Sequence, residues 1–239
     1  MNTQIEIKKN GTTTLATAGK YCDRNIDVNV SVGNDAFWDA FQDNGNRTSY
    51  LYGFSGDGWK DETFKPKYNI APTGNAHYMF AYSHIADVKA CLESCGVTLD
   101  FSKASGANST FSYCRKLTTL PKIDLSSATT SSNTFYNSTL LQTIEELKVS
   151  TKTTFSGSFG ECKSLENMIV TGTIAKNGFN VQWSTKLSKA SIESIINALS
   201  GTTSGLTVTI SKTAKETAFT DSEWATLIAT KPNWTISLA

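Results

Sequence analysis

The chain has 239 residues, a formal net charge of +1, 39% hydrophobic residues and 18% charged residues. Near-neutrality removes the electrostatic case for a nucleic-acid surface or an anionic membrane surface. Ser, Thr, Asn and Gly fill what the apolar and charged residues leave, a mixture suited to exposed β-structure and turns around one buried core. No apolar run of about 18 residues occurs, and Met1–Ile7 does not read as a signal peptide. The expectation is therefore a soluble protein made in the host cytoplasm. Five cysteines (Cys22, Cys91, Cys95, Cys114, Cys162) are an odd number at irregular spacing, against a full disulfide framework.

In chain order, residues 3–32 predict β-structure. Ile5 and Ile7 alternate with polar residues, Asn10-Gly11 signals a tight turn, and Ile26, Val28, Val30 and Val32 keep a period of two. Asn34 or Asp35 can cap a short helix through about Asp43, with Phe37, Trp38 and Phe41 on one stripe. Tyr50, Tyr52, Phe54, Trp59, Phe64 and Tyr68 then predict an irregular aromatic cap, with an aromatic ligand platform as the rival reading.

One pattern then recurs. Phe111, Phe135 and Phe159 each carry a small residue at +3 (Cys114, Ser138, Cys162), Leu at +6 and a bulky aliphatic at +9 (Leu120, Ile144, Met168), at steps of 135 − 111 = 24 and 159 − 135 = 24. Such a period predicts a solenoid of strand-plus-turn units. Looser copies are expected at Met79, Tyr82, Ile85 and Val88, and at Val181, Ser184, Leu187 and Ala190. A helical turn over Ala90–Cys95 ends at Gly96, and strands are expected at Val97–Phe101, Lys122–Leu125 and Glu146–Val149.

Past residue 190, Ile192, Ile195, Ile196 and Leu199 make a helical stripe ended by Gly201. Leu206–Ile210 alternates as a strand, Thr220 with Glu223 forms a capping box, and Trp234, Ile236 and Leu238 alternate in a last strand. The resulting strand, helix and strand are expected to continue the same sheet as a C-terminal cap.

The Phe-x-x-Cys-x-x-Leu core at Phe111 and Phe159 resembles the bacterial surface-antigen (BspA-like) type of leucine-rich repeat. The segment Asn10–Val30, the pieces Phe37-Trp-Asp and Gly58–Tyr68, and the ending Leu187–Leu238 resemble tail-associated proteins of phages that infect gut bacteria. The copy at Phe135 departs from the pattern by carrying Ser138 where cysteine is usual. The resemblance implies an α+β, β-rich leucine-rich-repeat solenoid with an N-terminal β segment and a strand-helix-strand cap, used for adhesion in a virion. The expected divisions are 1–33 for N-terminal attachment, 34–78 for the aromatic cap, 79–190 for the repeats and 191–239 for the C-terminal cap.

Chemistry is thinly represented. Cys91 and Cys95 could face one way, but a zinc site needs about four ligands and the only histidines are His77 and His84. Buried packing is the expected role for Cys114 and Cys162. Asp57, Asp61 and Glu62, and Glu145 with Glu146, are the carboxylates a glycoside hydrolase would need, yet nothing places two of them across a cleft. No serine-nucleophile, dinucleotide or phosphate-loop motif occurs. Tyr113 and Tyr136, at non-core positions, are candidates to stack on sugar rings; the alternative is ordinary surface tyrosines. The expectation is a non-enzymatic virion structural or adhesion protein, associated with tail, baseplate or fibre, with no cofactor, metal, nucleic acid or membrane. Its expected partners are other virion proteins through the N-terminal segment, a host-surface glycan or protein, and further copies of itself. The alternatives are a polysaccharide-degrading tail enzyme and a bacterial cell-surface adhesin.

Overall fold

A computed structural model of the chain describes residues 3–9, 12–18, 53–66 and 69–239. The expected strand over Ile26–Val32, the helix bearing Phe37, Trp38 and Phe41, the aromatics Tyr50, Tyr52 and Tyr68, and Cys22 lie outside the described residues. At the N-terminus β1 (Thr3–Lys9) and β2 (Thr12–Ala18) pair antiparallel with Lys9 opposite Thr12, the register that a two-residue Asn-Gly connection predicts.

The middle of the chain is built on layers whose order follows the recurrence. The rings of Phe80, Phe111, Phe135 and Phe159 lie one above another, with successive centroids 4.9, 5.9 and 5.4 Å apart. The backbone sets that spacing: Phe80 N–H donates to the Thr110 carbonyl at 2.7 Å, Phe111 to Thr134 at 2.7 Å and Phe135 to Ser158 at 2.9 Å. Hydroxyls reinforce it, since Thr110 Oγ1 donates to the Ala76 carbonyl at 2.9 Å and Thr134 Oγ1 to that of Ala107 at 2.8 Å. All four rings are buried, and burial of each contributes about 1.5–3 kcal/mol. The first layer differs from expectation by one residue. Phe80, not Met79, stacks on Phe111, a step of 111 − 80 = 31, and Ser83, not Tyr82, faces Cys114, with Oγ 3.6 Å from Sγ. Met79 is itself fully buried, so two adjacent apolar residues leave the phase ambiguous in sequence.

The fold class is not the expected α+β, β-rich leucine-rich-repeat solenoid. Among the described residues it is a mixed α/β arrangement of four helices with small, open sheets. Strands β3 (Thr119–Leu120) and β4 (Ile123–Asp124) both pair parallel with β5 (Thr143–Val149), which pairs parallel with β6 (Asn167–Gly172) on its other side. This four-stranded sheet is the largest among the described residues. The reason lies in the turns, which occupy most of each layer and bond through Ser, Thr and Asn side chains and isolated bridges. The expected strand at Val97–Phe101, for example, reduces to one bridge between Ile70 and Leu99. Two residues of β5, Glu145 and Glu146, lie opposite a single residue of β6, a β-bulge that breaks the ladder between Ile144 and Leu147.

Helix α1 (Val88–Cys95) starts on the Asp87 side chain and stops at Gly96, whose φ of 66° is the left-handed cap glycine supplies without strain. Helix α2 (Lys189–Ala198) buries Ile192, Ile195 and Ile196 and ends at Leu199, not at Gly201. It also closes the sheet edge: Ser191 Oγ accepts Met168 N–H at 2.9 Å and Ser194 Oγ accepts Val170 N–H at 3.0 Å. Those two bonds satisfy amides that an open edge strand would leave to solvent.

Beyond it, β7 (Leu206–Ile210) and β8 (Trp234–Leu238) pair parallel, a connection that requires a crossover. Two helices make that crossover, α3 (Lys212–Ala218), absent from the sequence expectation, and α4 (Asp221–Ala229). The cap is thus strand-helix-helix-strand, and its strands form their own pair, joined toward the body by a bridge between Asn180 and Thr209. In α4 the capping box is present: Glu223 N–H donates to Thr220 Oγ1 at 3.2 Å and Thr220 N–H donates to Glu223 Oε2 at 2.8 Å. The Lys189 ammonium at 2.6 Å, followed by the Thr220 N–H and hydroxyl, holds the Glu223 carboxyl down to about 2.

The core holds one polar fault among the described residues. Ser131 is fully buried and its hydroxyl has no hydrogen-bond partner. An unsatisfied buried hydroxyl costs about 1–3 kcal/mol, so Ser131→Ala is expected to stabilise the protein by about 1 kcal/mol. A urea midpoint unchanged or lowered in the variant would contradict this.

Candidate functional site

The small residue at +3 of each recurrence has a defined partner. Cys114 Sγ donates to the Phe80 carbonyl at 3.0 Å, Ser138 Oγ to that of Phe111 at 2.6 Å, and Cys162 Sγ to that of Phe135 at 3.0 Å. Burial pushes the Cys114 and Cys162 thiols up to about 12. Cys91 is also pushed up to about 12, by burial and by the Asp61 carboxylate 3.5 Å away. All four described cysteines are free, and Cys95 is the most exposed of them. The thiolate is the reactive form. Iodoacetamide on the folded protein at pH 8 is therefore expected to label Cys95 at least about tenfold faster than Cys91, Cys114 or Cys162. Peptide mass mapping reads this out; comparable labelling of Cys114 or Cys162 before unfolding would contradict it.

Of the carboxylates singled out in the sequence, Glu145 and Glu146 are held by cations and Asp61 by amides. Glu145 pairs with Lys89 at 2.5 Å, and Glu146 with Lys122 at 2.9 Å. A hydrogen bond from Thr171 Oγ1 at 2.6 Å, followed by the Lys122 contact, holds the Glu146 carboxyl below its ordinary value. Asp61 accepts the Ala86 N–H at 2.8 Å and the Asp87 N–H at 3.3 Å just ahead of α1. Asp57 and Glu62 are exposed. Among the described residues no group of three or more His, Cys, Asp or Glu could hold a metal ion.

The tyrosines are different. The structure brings Tyr113 and Tyr136 together, with centroids 5.5 Å apart and planes at 70°. It also adds Tyr82, stacked on Tyr113 at 4.8 Å with the planes 5° apart. Tyr82 is 54% exposed, and Tyr113 and Tyr136 are half-buried. Backbone geometry places them. Tyr82 and Tyr113 both have left-handed φ, at 62° and 58°, and so does Asn137 at 58°. Tyrosine has no intrinsic preference for that region, which costs about 1–2 kcal/mol. Hydrogen bonds between layers hold it: Tyr82 N–H to the Ser112 carbonyl at 2.9 Å, Tyr113 to Tyr136 at 2.7 Å and Asn137 to Gly160 at 2.8 Å. Tyr136 rests where Gly160 leaves room, since a Cβ there would come within 2.7 Å of its ring. The Arg115 guanidinium lies 5.8 Å from the Tyr113 centroid.

In a lower layer Lys163 stands 5.5 Å from the centroid of exposed Trp183 and pairs with Glu161 at 2.7 Å. Tyr82 and Trp183 were not site candidates in the sequence. Tyr82 could have been found only with the phase of the first layer known, because its register with Tyr113 depends on the step of 31 rather than 24.

No family of proteins, no curated protein and no solved structure matches this chain. Among the described residues no helix is long and apolar enough to cross a membrane.

Proposed function

We propose that this chain is a non-enzymatic structural and adhesion component of a phage particle, associated with its tail, baseplate or fibre. The N-terminal segment serves as its attachment to other virion proteins, and the tyrosine column is the surface it presents to host or partner. The observation that carries this reading is the column itself. Tyr82 and Tyr113 are kept at the surface by strained backbone that burial of a core does not require, and Tyr136 packs against Tyr113. The phage context rests on the resemblance of the flanking segments, and the non-enzymatic reading on the lysine pairing of Glu145 and Glu146.

Mass spectrometry of purified virions together with binding of the labelled chain to host cells tests it. The chain is expected in the particle, and the wild-type protein is expected on cells or cell-wall polysaccharide. A chain absent from virions that binds neither, as monomer or oligomer, removes the reading.

A further inference from the structure

Resting on the binding role just described, we propose that the Tyr82 end of the tyrosine column, with Arg115 and Lys116, is a recognition site for a uronic-acid polysaccharide. The stacking surface comes first. Tyr113 covers one face of the Tyr82 ring with nearly parallel planes, yet Tyr82 remains 54% exposed. The residue in register with it on the other side is Gly56, whose N–H donates to the Ala81 carbonyl at 2.8 Å. Gly56 has no side chain, and a Cβ built on it would meet nothing within 4 Å. Among the described residues no ring stacks on the second face of the Tyr82 ring, and Gly56 has no side chain to cover it, which leaves a shelf one ring wide. A pyranose presents an apolar face of C–H groups to such a ring while its hydroxyls stay in water.

The charge comes next. Arg115 sits against Tyr113, the neighbour of Tyr82, and Lys116 follows it, also exposed. Neither makes an ion pair among the described residues. Two exposed cations without ion-pair partners, one of them against the ring that Tyr82 stacks on, complement a ligand carrying both a sugar ring and a carboxylate, and a guanidinium can grip the carboxylate with two hydrogen bonds.

A nucleic-acid strand is the poorer fit. A DNA strand has no free hydroxyls along its length, whereas each pyranose carries hydroxyls that can donate to exposed Asp57, which follows Gly56 in the chain.

The test is a titration of the full chain with polygalacturonate, with its methyl ester and with oligo(dT), at one ionic strength. The ester keeps the ring and loses the charge; the oligonucleotide keeps charge and aromatic bases and loses the pyranose. Polygalacturonate is expected to bind at least tenfold more tightly than either. Tyr82→Asn is expected to weaken it at least tenfold while preserving the fold, since Asn137 adopts the same left-handed backbone in the equivalent layer position. Arg115→Gln with Lys116→Gln is expected to weaken polygalacturonate to the level of the ester, whereas Trp183→Ala should leave binding unchanged. No binding of polygalacturonate, equal binding of the ester or of oligo(dT), or a Tyr82→Asn protein that binds as the wild type does would overturn the proposal. If the wild type still joins virions and binds cells in those cases, only this ligand assignment falls. If it does neither, the broader reading falls with it.

Discussion

Gly172→Ala is expected to lower stability by about 4 kcal/mol, a loss well beyond that of most single substitutions. Gly172 closes β6 with a φ of +85°, a backbone conformation that strains any residue with a Cβ by about 1–2 kcal/mol. A Cβ there would also press into the carbonyl oxygen of Val149, its register partner on β5. The obstruction is backbone at the paired end of the two strands, so it cannot move aside as a side-chain tip could. The sheet must open at β5–β6, where the α2 serines already complete the far edge. Gly201→Ala is the internal control, because nothing lies within 4 Å of its would-be Cβ. Urea unfolding of the two variants measures the contrast, and a Gly172→Ala protein within about 1 kcal/mol of wild type would show the ladder to be more pliable than its register implies.

Phe135→Ala is expected to cost about 3–5 kcal/mol, the usual range for truncating a fully buried aromatic. Phe135 has a stacked neighbour on each side, Phe111 at 5.9 Å and Phe159 at 5.4 Å, and it has no exposure. Its removal leaves a void between two layers held at fixed separation by their backbone hydrogen bonds, so the site cannot collapse to fill it. Loss of two ring contacts adds about 0.5–1.5 kcal/mol each within that total. Phe135→Leu keeps much of the volume and should recover at least half of the loss. Thermal unfolding decides it, and equal destabilisation by both substitutions would argue against a packing origin.

Several elements were legible because their signals are local. Thr220 and Glu223 announce α4 through reciprocal bonds between near neighbours, and Gly96 ends α1 as its freedom at positive φ requires. The alternation of Leu206–Ile210 and Trp234–Leu238 likewise marks β7 and β8. Helix α3 was not legible. Its sequence, Lys-Thr-Ala-Lys-Glu-Thr-Ala, carries no apolar stripe, and it stands on the Ser211 cap, on buried Ala214 and on Lys215, which pairs with Asp221 of the next helix. The candidate site was half legible. Tyr113 and Tyr136 stood out at non-core positions, but Tyr82 was hidden by the one-residue error between Met79 and Phe80.

What this chain's sequence determined by itself is which rings meet. A spacing of 24 residues between Phe111, Phe135 and Phe159, with a small hydrogen-bonding residue three places on, survives as a continuous stack with thiol and hydroxyl donors beside it. Only the tertiary structure decided the fold class. Turn residues satisfied by side chains and single bridges leave too little strand for the expected solenoid, and among the described residues four helices with small open sheets stand in its place. Tertiary structure also decided where the tyrosines point. No tyrosine prefers left-handed backbone, so the outward column exists because hydrogen bonds from neighbouring layers outweigh the local cost at Tyr82 and Tyr113.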